Sequence, residues 1–375
     1  MRIKHFNEFD MEIPSEIKEL SDIFKKNGKK LYIVGGYCRD ILMGKDPLDI
    51  DLATDSLPDE SIRFLSTKYH IDNVGKAFGV IIVHLGKMKI EIASFRKDLE
   101  DSSGGRHPEI KLGVSIEDDV LRRDLTISSL FYDIEEGKIV DLVGGRNDIK
   151  NKIIRMVGDP KIRLQEDQLR SLRAIRFATR YGFSIDIKTK DALKNSDLSK
   201  ISKERIWDEI DKGWNQSQNF TDYLNYITEF NMWGEVFPGA NINTDFVKSS
   251  NFVVVIASLF KKESPIRLRD KLVSYKIPDS PESGHISSKI AFLIQLSSLI
   301  PETVTDVYGK KRQCGIDDDT ILEWLKVNNI KEPIFNKFIG YRPSVSSQDL
   351  MKQGLKGKPL GDEIRRLEIE KFKQL

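Results

Sequence analysis

The run Leu31-Tyr32-Ile33-Val34-Gly35-Gly36 constrains the fold of this chain more than any other segment. Four apolar residues with β-branched content have the length of a buried strand, and the glycine pair ends it where the backbone must approach another group closely. Ile41 and Leu42, with polar neighbours, then predict a short helix. Its N-terminus would face the glycines, so that amide groups and the helix dipole can hold an anion such as a phosphate. Asp49 and Asp51 follow on a predicted strand over 48–53, alternating with Leu48, Ile50 and Leu52. A period of two puts both carboxylates on one face, roughly 7 Å apart at Cα. Their oxygens can then converge on a pair of magnesium ions, which two-metal sites hold about 3.5–4 Å apart. Lys89-Ile90-Glu91-Ile92-Ala93 also alternates as a strand. It offers Glu91 as a third metal ligand, as a partner of the ligands, or as a solvated residue on an open face.

At 375 residues the chain exceeds what one hydrophobic core supports, and two to four structural units are expected. Its 60 basic residues against 58 acidic leave a net charge of only +2, so any nucleic-acid surface must be a local patch. One such patch lies at 150–180, where nine Lys or Arg stand against Asp159, Glu166 and Asp167, a local net of +6. A solvated helix face would carry the same charge. Cys38 and Cys314 have neither a disulfide framework nor zinc-site spacing, and the five histidines do not cluster in sequence. The segment Met1–Phe6 has acids close by and no apolar core, unlike a signal peptide. The longest apolar stretches, 252–260 and 290–300, fall short of the roughly 20 residues that span a bilayer. A cytoplasmic protein away from membranes is expected, and nothing calls for an obligate protein partner.

Strand-like runs at 31–34, 48–53, 79–85, 88–95 and 127–134, with helices between them, predict an α/β head. From Asp159 onward helical segments dominate, punctuated at Gly182, Pro238, Pro278–Pro281 and Pro343. The proline- and serine-rich stretch 277–284 reads as a linker. Trp207, Trp214, Trp233 and Trp324 all lie in the helical half, as core anchors. Arg163 to Arg180 reads as one helix, on which Arg163, Asp167, Arg170 and Ala174 share a narrow arc. Asp167 and Arg170 would then be neighbours, as a solvent-exposed ion pair or as a recognition pair.

Further segments extend this reading. Gly35-Gly36-x-x-Arg39-Asp40 with Asp49-x-Asp51, Arg122-Arg123-Asp124-Leu125-Thr126-Ile127, Asp141-Leu142-Val143-Gly144-Gly145, Glu166-Asp167-x-x-Arg170 and Ser202-x-Glu204-Arg205-Ile206 occur in that order. Together they resemble the motifs of the bacterial-type (class II) tRNA nucleotidyltransferase and poly(A) polymerase family. Ser128 and Ser129 depart from it, standing where that family has Asn and Ala. Asp349-Leu350 with Gly354, Gly357 and Gly361 looks like the family's tail.

The resemblance implies an α+β fold: a polymerase-β-like nucleotidyltransferase head with a mixed sheet and helices (1–137), then an all-α neck (138–212), body (213–284) and tRNA-binding tail (285–375). It implies template-independent addition of CCA to the 3′ end of tRNA from CTP and ATP, releasing pyrophosphate, at a site with two Mg2+ ions. Asp49 and Asp51, with Glu91, would hold the metals. Gly35, Gly36 and Arg39 would lie along the triphosphate, Arg39 having an ion pair with Asp40 or Asp49 as its other reading. Arg123 and Asp124 would lie near the ribose. Asp167 and Arg170 would read the amine and adjacent acceptor shared by cytosine and adenine, and Arg173 and Arg176 would bind nucleotide from the same segment. Ser202 reads as a helix N-cap. The alternatives are a poly(A) polymerase on the same scaffold, a partial CC- or A-adding enzyme, and a silent RNA-binding relative. Val74-Gly75-Lys76-Ala77-Phe78-Gly79 looks like the CCA-adding subgroup.

Overall fold

A computed structural model describes residues 13–47, 49–99 and 109–375; Leu48 and the segment Met1–Phe6 lie outside them. The chain divides into two compact units. The first takes in residues up to Ile201 with Asn215–Asn219, and the second Ser202–Trp214 with Phe220–Leu375.

The first unit opens with α1 (Ser15–Lys26), whose Ile17, Leu20 and Phe24 recur at helical spacing and are fully buried. There follow β1 (Leu31–Val34), α2 (Gly36–Leu42), β2 (Asp51–Thr54), α3 (Pro58–Leu65), β3 (His70–Asp72), β4 (Val80–Leu85) and β5 (Met88–Ser94). Next come β6 (Arg96–Asp98), β7 (Ile110–Leu112), α4 (Ile116–Leu121), β8 (Phe131–Asp133) and β9 (Lys138–Val140). The main sheet runs β3-β4-β5-β2-β1-β8-β9, mixed because β2 and β5 pair in parallel while the other neighbours are antiparallel. Central β1 is buried on both faces. Leu31 and Ile33 join Ile17, Leu20, Phe24, Leu52, Ile81 and Ile92 on one side, and Tyr32 and Val34 join Ala53, Phe95, Val120 and Phe131 on the other. Strand β2 begins at Asp51, so Asp49 lies just before the ladder rather than in it. The predicted strand at 127–134 is shorter, because Thr126–Ser128 form a single 3-10 turn first.

The same unit continues through α5 (Gly145–Asn151), β10 (Ile153–Ile154), α6 (Pro160–Glu166), α7 (Arg170–Tyr181), β11 (Ser184–Ile185) and α8 (Ile187–Leu193), with β10 and β11 paired in parallel. The single helix expected over Arg163–Arg180 is two. The chain breaks at Asp167, whose φ of −155° and ψ of 103° are extended, and the Asp167 carboxylate accepts the Leu169 amide at 3.1 Å. A short acidic side chain that satisfies a nearby amide competes with helix continuation.

The second unit is helical, from Lys203–Gln216, before which Ser202 stands, to Gly357–Gln374. Trp207 and Trp324 are buried; Trp207 and Trp214 pack on Phe252. The stretch 277–284 is a fastened turn inside this unit and not a linker: Ile277 is buried, Ser287 donates to its carbonyl at 2.9 Å, and the Ser288 amide donates to Asp279. No helix among the described residues is long and apolar enough to cross a membrane.

Candidate active site

Gly35 takes φ 67° and ψ −116°, a conformation that side chains disfavour, which is why the strand must end on glycine. Its amide donates to Leu130 O at 3.0 Å and so is committed to β8 rather than to an anion. Gly36 opens α2, where a first-turn amide has no intrahelical acceptor. Val34 pairs with Asp51 across the ladder, and Leu52 pairs with Ile92. The glycine turn at the end of β1, Asp51 at the start of β2 and Glu91 in the middle of β5 therefore stand side by side, with Asp49 two residues ahead of the ladder. Partial burial, then the negative charges of Glu91 and Asp49, push the Asp51 carboxyl above its ordinary value, while the Arg123 cation pulls the other way. Three like charges in excess of their local cation is the electrostatic demand that a divalent ion satisfies.

These oxygens are not gathered into a closed cage. The only three donor side chains drawn that tightly together among the described residues are His70, Asp72 and His84. Two histidines thus do meet, contrary to their sequence spacing, because β3 pairs with β4.

The arginines are held more firmly than the sequence suggested. Arg39 is buried, its Nε pairs with Asp40 at 3.0 Å, and its Nη1 donates to Ser128 at 3.1 Å. The ion-pair reading of Arg39 is the one the structure adopts, and Ser128 has a definite role as its acceptor. Tyr181 closes the group, its hydroxyl donating to Asp40 at 3.3 Å. Arg123 pairs with Asp119 at 3.0 Å and lies 4.5 Å over the Phe131 ring. Asp124 pairs with Arg173 at 2.7 Å and accepts the Leu125 amide at 2.8 Å. Burial alone would raise the Asp124 carboxyl, but the Arg173 cation and these hydrogen bonds hold it below its ordinary value.

The Arg170 guanidinium has several partners besides the expected Asp167. Arg170 pairs with Glu166, and it donates to Arg163 O at 3.1 Å and Arg122 O at 2.9 Å. Three of its five N–H groups are thereby committed. Arg176 is buried and donates to Gln216 at 2.8 Å. The Phe177 ring gathers the guanidiniums of Arg176, Arg39 and Arg173 at 4.4, 5.2 and 5.7 Å. Phe177, Tyr181 and Asp119 were not singled out from the sequence. Asp119 had a local signal, since Asp119 and Arg123 are four apart and Arg122 three.

Asp141 accepts four amides, from Val143, Gly144, Gly145 and Arg146, at 3.2, 2.9, 3.0 and 2.9 Å. The motif around it is thus a fastening of the α5 N-terminus.

With this geometry in hand, known proteins are informative. Residues 31–155 match the Poly A polymerase head domain. A CCA-adding enzyme of Bacillus pumilus is 42% identical over 189 residues, which is 50% of this chain and 46% of that protein. One from Bacillus subtilis is 39% identical over 187 residues, 49% and 46% of the two. The chain spans about half the length of the curated relatives it matches. The crystal structure of a Bacillus stearothermophilus CCA-adding enzyme in complex with CTP superposes with a TM-score of 0.68 at 23% identity, covering 94% of this chain and 91% of that one. A Thermotoga maritima CCA-adding enzyme complexed with tRNA gives 0.65 at 20% identity, covering 97% and 93%. At such identities the likeness is one of fold, a mixed-sheet head followed by helices. Residues 31–155 are thus similar to a Poly A polymerase head domain, and the chain resembles CCA-adding enzymes in sequence over about half its length and in fold over most of it.

Proposed function

We propose that this protein adds C, C and A, without a template, to the 3′ end of tRNA from CTP and ATP, releasing pyrophosphate. The observation that carries the reading is the juxtaposition of Asp51, Glu91 and the Gly35 turn on neighbouring strands, with Asp49 beside them. An oxygen-only, negatively charged donor set suits a hard cation, and Mg2+ is the ion we assign to Asp49 and Asp51, with Glu91 in support. When bound, Mg2+ would neutralise triphosphate charge and favour ionisation of the attacking 3′-hydroxyl.

The chain's own residues do the rest by position. Gly36 leaves its first-turn amide toward the phosphates, and Gly35 admits their close approach. Arg39 and Arg123, fixed by Asp40 and Asp119, supply positive potential from rigid seats rather than as mobile clamps. Asp124, fastened to Arg173, would position the ribose edge of the site. The Asp167 carboxylate accepts the exocyclic amine of cytosine or adenine, and Arg170 donates its uncommitted N–H groups to the adjacent ring acceptor. Arg173 and Arg176 hold that part of the helix against Phe177 and lend it charge. Uracil and guanine would set a carbonyl against the Asp167 carboxylate where the amine would be. The segments 1–137 and 138–212 then act as head and base-reading neck, 213–284 as body and 285–375 as the tRNA-binding tail, in the cytoplasm where that substrate is handled.

Purified protein incubated with tRNA ending at its discriminator base, Mg2+ and each NTP, singly and together, followed by 3′-end sequencing, tests the reading. Addition of C, C and A in order is expected. Runs of A from ATP alone would identify a poly(A) polymerase, and no extension would refute nucleotidyl transfer to tRNA.

A further inference from the structure

We propose that His70, Asp72 and His84 form a site for a divalent transition-metal ion of the zinc type, separate from the catalytic carboxylates. His70 and Asp72 are two apart on β3 and share a face, while His84 is the direct cross-strand partner of His70 on β4. Both imidazoles aim at one carboxylate from neighbouring strands. His84 Nε2 lies 2.7 Å from Asp72 Oδ2, and His70 Nε2 lies 3.3 Å from Asp72 Oδ1. The ring centroids are 4.8 Å apart with their planes at 64°, and all three donor atoms lie within 4.8 Å of one another. Tetrahedral zinc, with ligand bonds of about 2.0–2.2 Å, needs donors roughly 3.4 Å apart, so small side-chain rotations would close the set. Two nitrogens and one oxygen leave the fourth position to water. This donor set suits zinc and not magnesium, which prefers oxygen ligands throughout.

The ribbon is a platform for such a site. Ile71 and Val83, which alternate with the ligands, pack toward the core, so the ladder fixes the Cα positions while the ligand side chains remain accessible at 74%, 36% and 26% exposure for His70, Asp72 and His84. Asp72 pairs with Ile82, and Ile82 pairs with Glu91. The cluster therefore sits on the sheet face that carries Glu91, about 10 Å away at roughly 4.8 Å per strand. Lys89, opposite His84, is the nearby cation whose charge opposes the metal. The simpler reading is a pair of His–Asp hydrogen bonds, and the experiment separates the two.

Untagged full-length protein would be titrated with ZnCl2 by calorimetry in millimolar Mg2+, and with Co2+ by visible absorption. One equivalent bound, insensitive to Mg2+, with intense tetrahedral Co2+ bands, is expected. His70→Ala, Asp72→Ala and His84→Ala should each weaken binding at least about tenfold and erase the bands, whereas Asp49→Asn with Asp51→Asn should leave both unchanged. His70→Ala alters the most exposed ligand, so melting of that variant should match the parent. No zinc binding, binding that survives all three substitutions, or binding lost with Asp49 and Asp51 would overturn the site.

Discussion

Arg173→Met should lower stability by an amount that depends on pH in the reverse sense to the parent protein. Arg173 Nε lies 2.7 Å from the Asp124 carboxylate, whose side chain is only 12% exposed. Removing one partner of a fully buried ion pair costs about 3–5 kcal/mol. Arg173 is 35% exposed, so solvent screens part of the interaction, and about 2 kcal/mol at pH 7 is the appropriate expectation. In the parent, the depressed Asp124 carboxyl contributes stability above the unfolded value of about 4, which is lost as pH falls through the lower folded value. Without Arg173, burial becomes the dominant influence and the folded carboxyl moves up. The variant then loses stability as pH rises through that raised value, so its deficit, already present near pH 4.5 where the parent holds its full contribution, is larger at pH 7. For a unit of some 200 residues, 2 kcal/mol corresponds to about 4–8 °C in melting temperature. Scanning calorimetry is the suitable assay, because all four tryptophans belong to the second unit and their fluorescence would follow that unit instead. An equal deficit at both pH values, or one below about 1 °C at pH 7, would refute the reasoning.

Other expectations follow from single contacts. Gly145→Ala would place a Cβ 2.2 Å from Thr126 O and 2.9 Å from its carbonyl carbon, backbone that cannot swing aside; calorimetry should show a loss of about 2–3 kcal/mol. Asp51→Asn should abolish nucleotide incorporation while leaving the melting temperature equal or slightly higher, because it removes one of three crowded negative charges; retained activity would exclude Asp51 as a ligand. Asp167→Ala should cut the CTP-over-UTP ratio in single-turnover extension by about tenfold or more, at 1–3 kcal/mol per paired base contact, and an unchanged ratio with slower turnover would confine Asp167 to its turn.

Legibility in the sequence followed the range of the interactions. Leu31–Val34, its glycine stop and the alternation around Glu91 are local patterns, and each element formed where its residues asked for it. The Asp167 break was hidden because Arg163, Arg170 and Ala174 keep helical spacing on either side of it, while the extended Asp167 backbone and its bond to the Leu169 amide mark the interruption. Arginine partners divided by separation: Arg39 with Asp40 and Arg123 with Asp119 are near neighbours, whereas Arg173 reaches Asp124 across 49 positions. The His70–His84 meeting needed the register of a short edge strand, and three residues carry too little periodicity to announce one. Asp141 stood out in its motif, but its four amide bonds follow from loop geometry that residue types alone do not specify.

The pairing of β1 with β8 bears on how the protein is made. Tyr32 pairs with Asp133, and the Gly35 amide reaches Leu130, across about a hundred residues of sequence. A ribosome adding about 5–20 residues per second takes roughly 5–20 s to travel that distance. Through the later part of that interval the nascent chain already contains Asp49, Asp51 and Glu91, yet the far edge of β1 is unpaired and the glycine turn has no acceptor to anchor it. Closing so long a loop also makes this pairing slow relative to the local β4–β5 hairpin. The proposed nucleotide site would therefore be a late product of synthesis, and a ribosome stalled before Leu130 would display Asp49, Asp51 and Glu91 without assembling them.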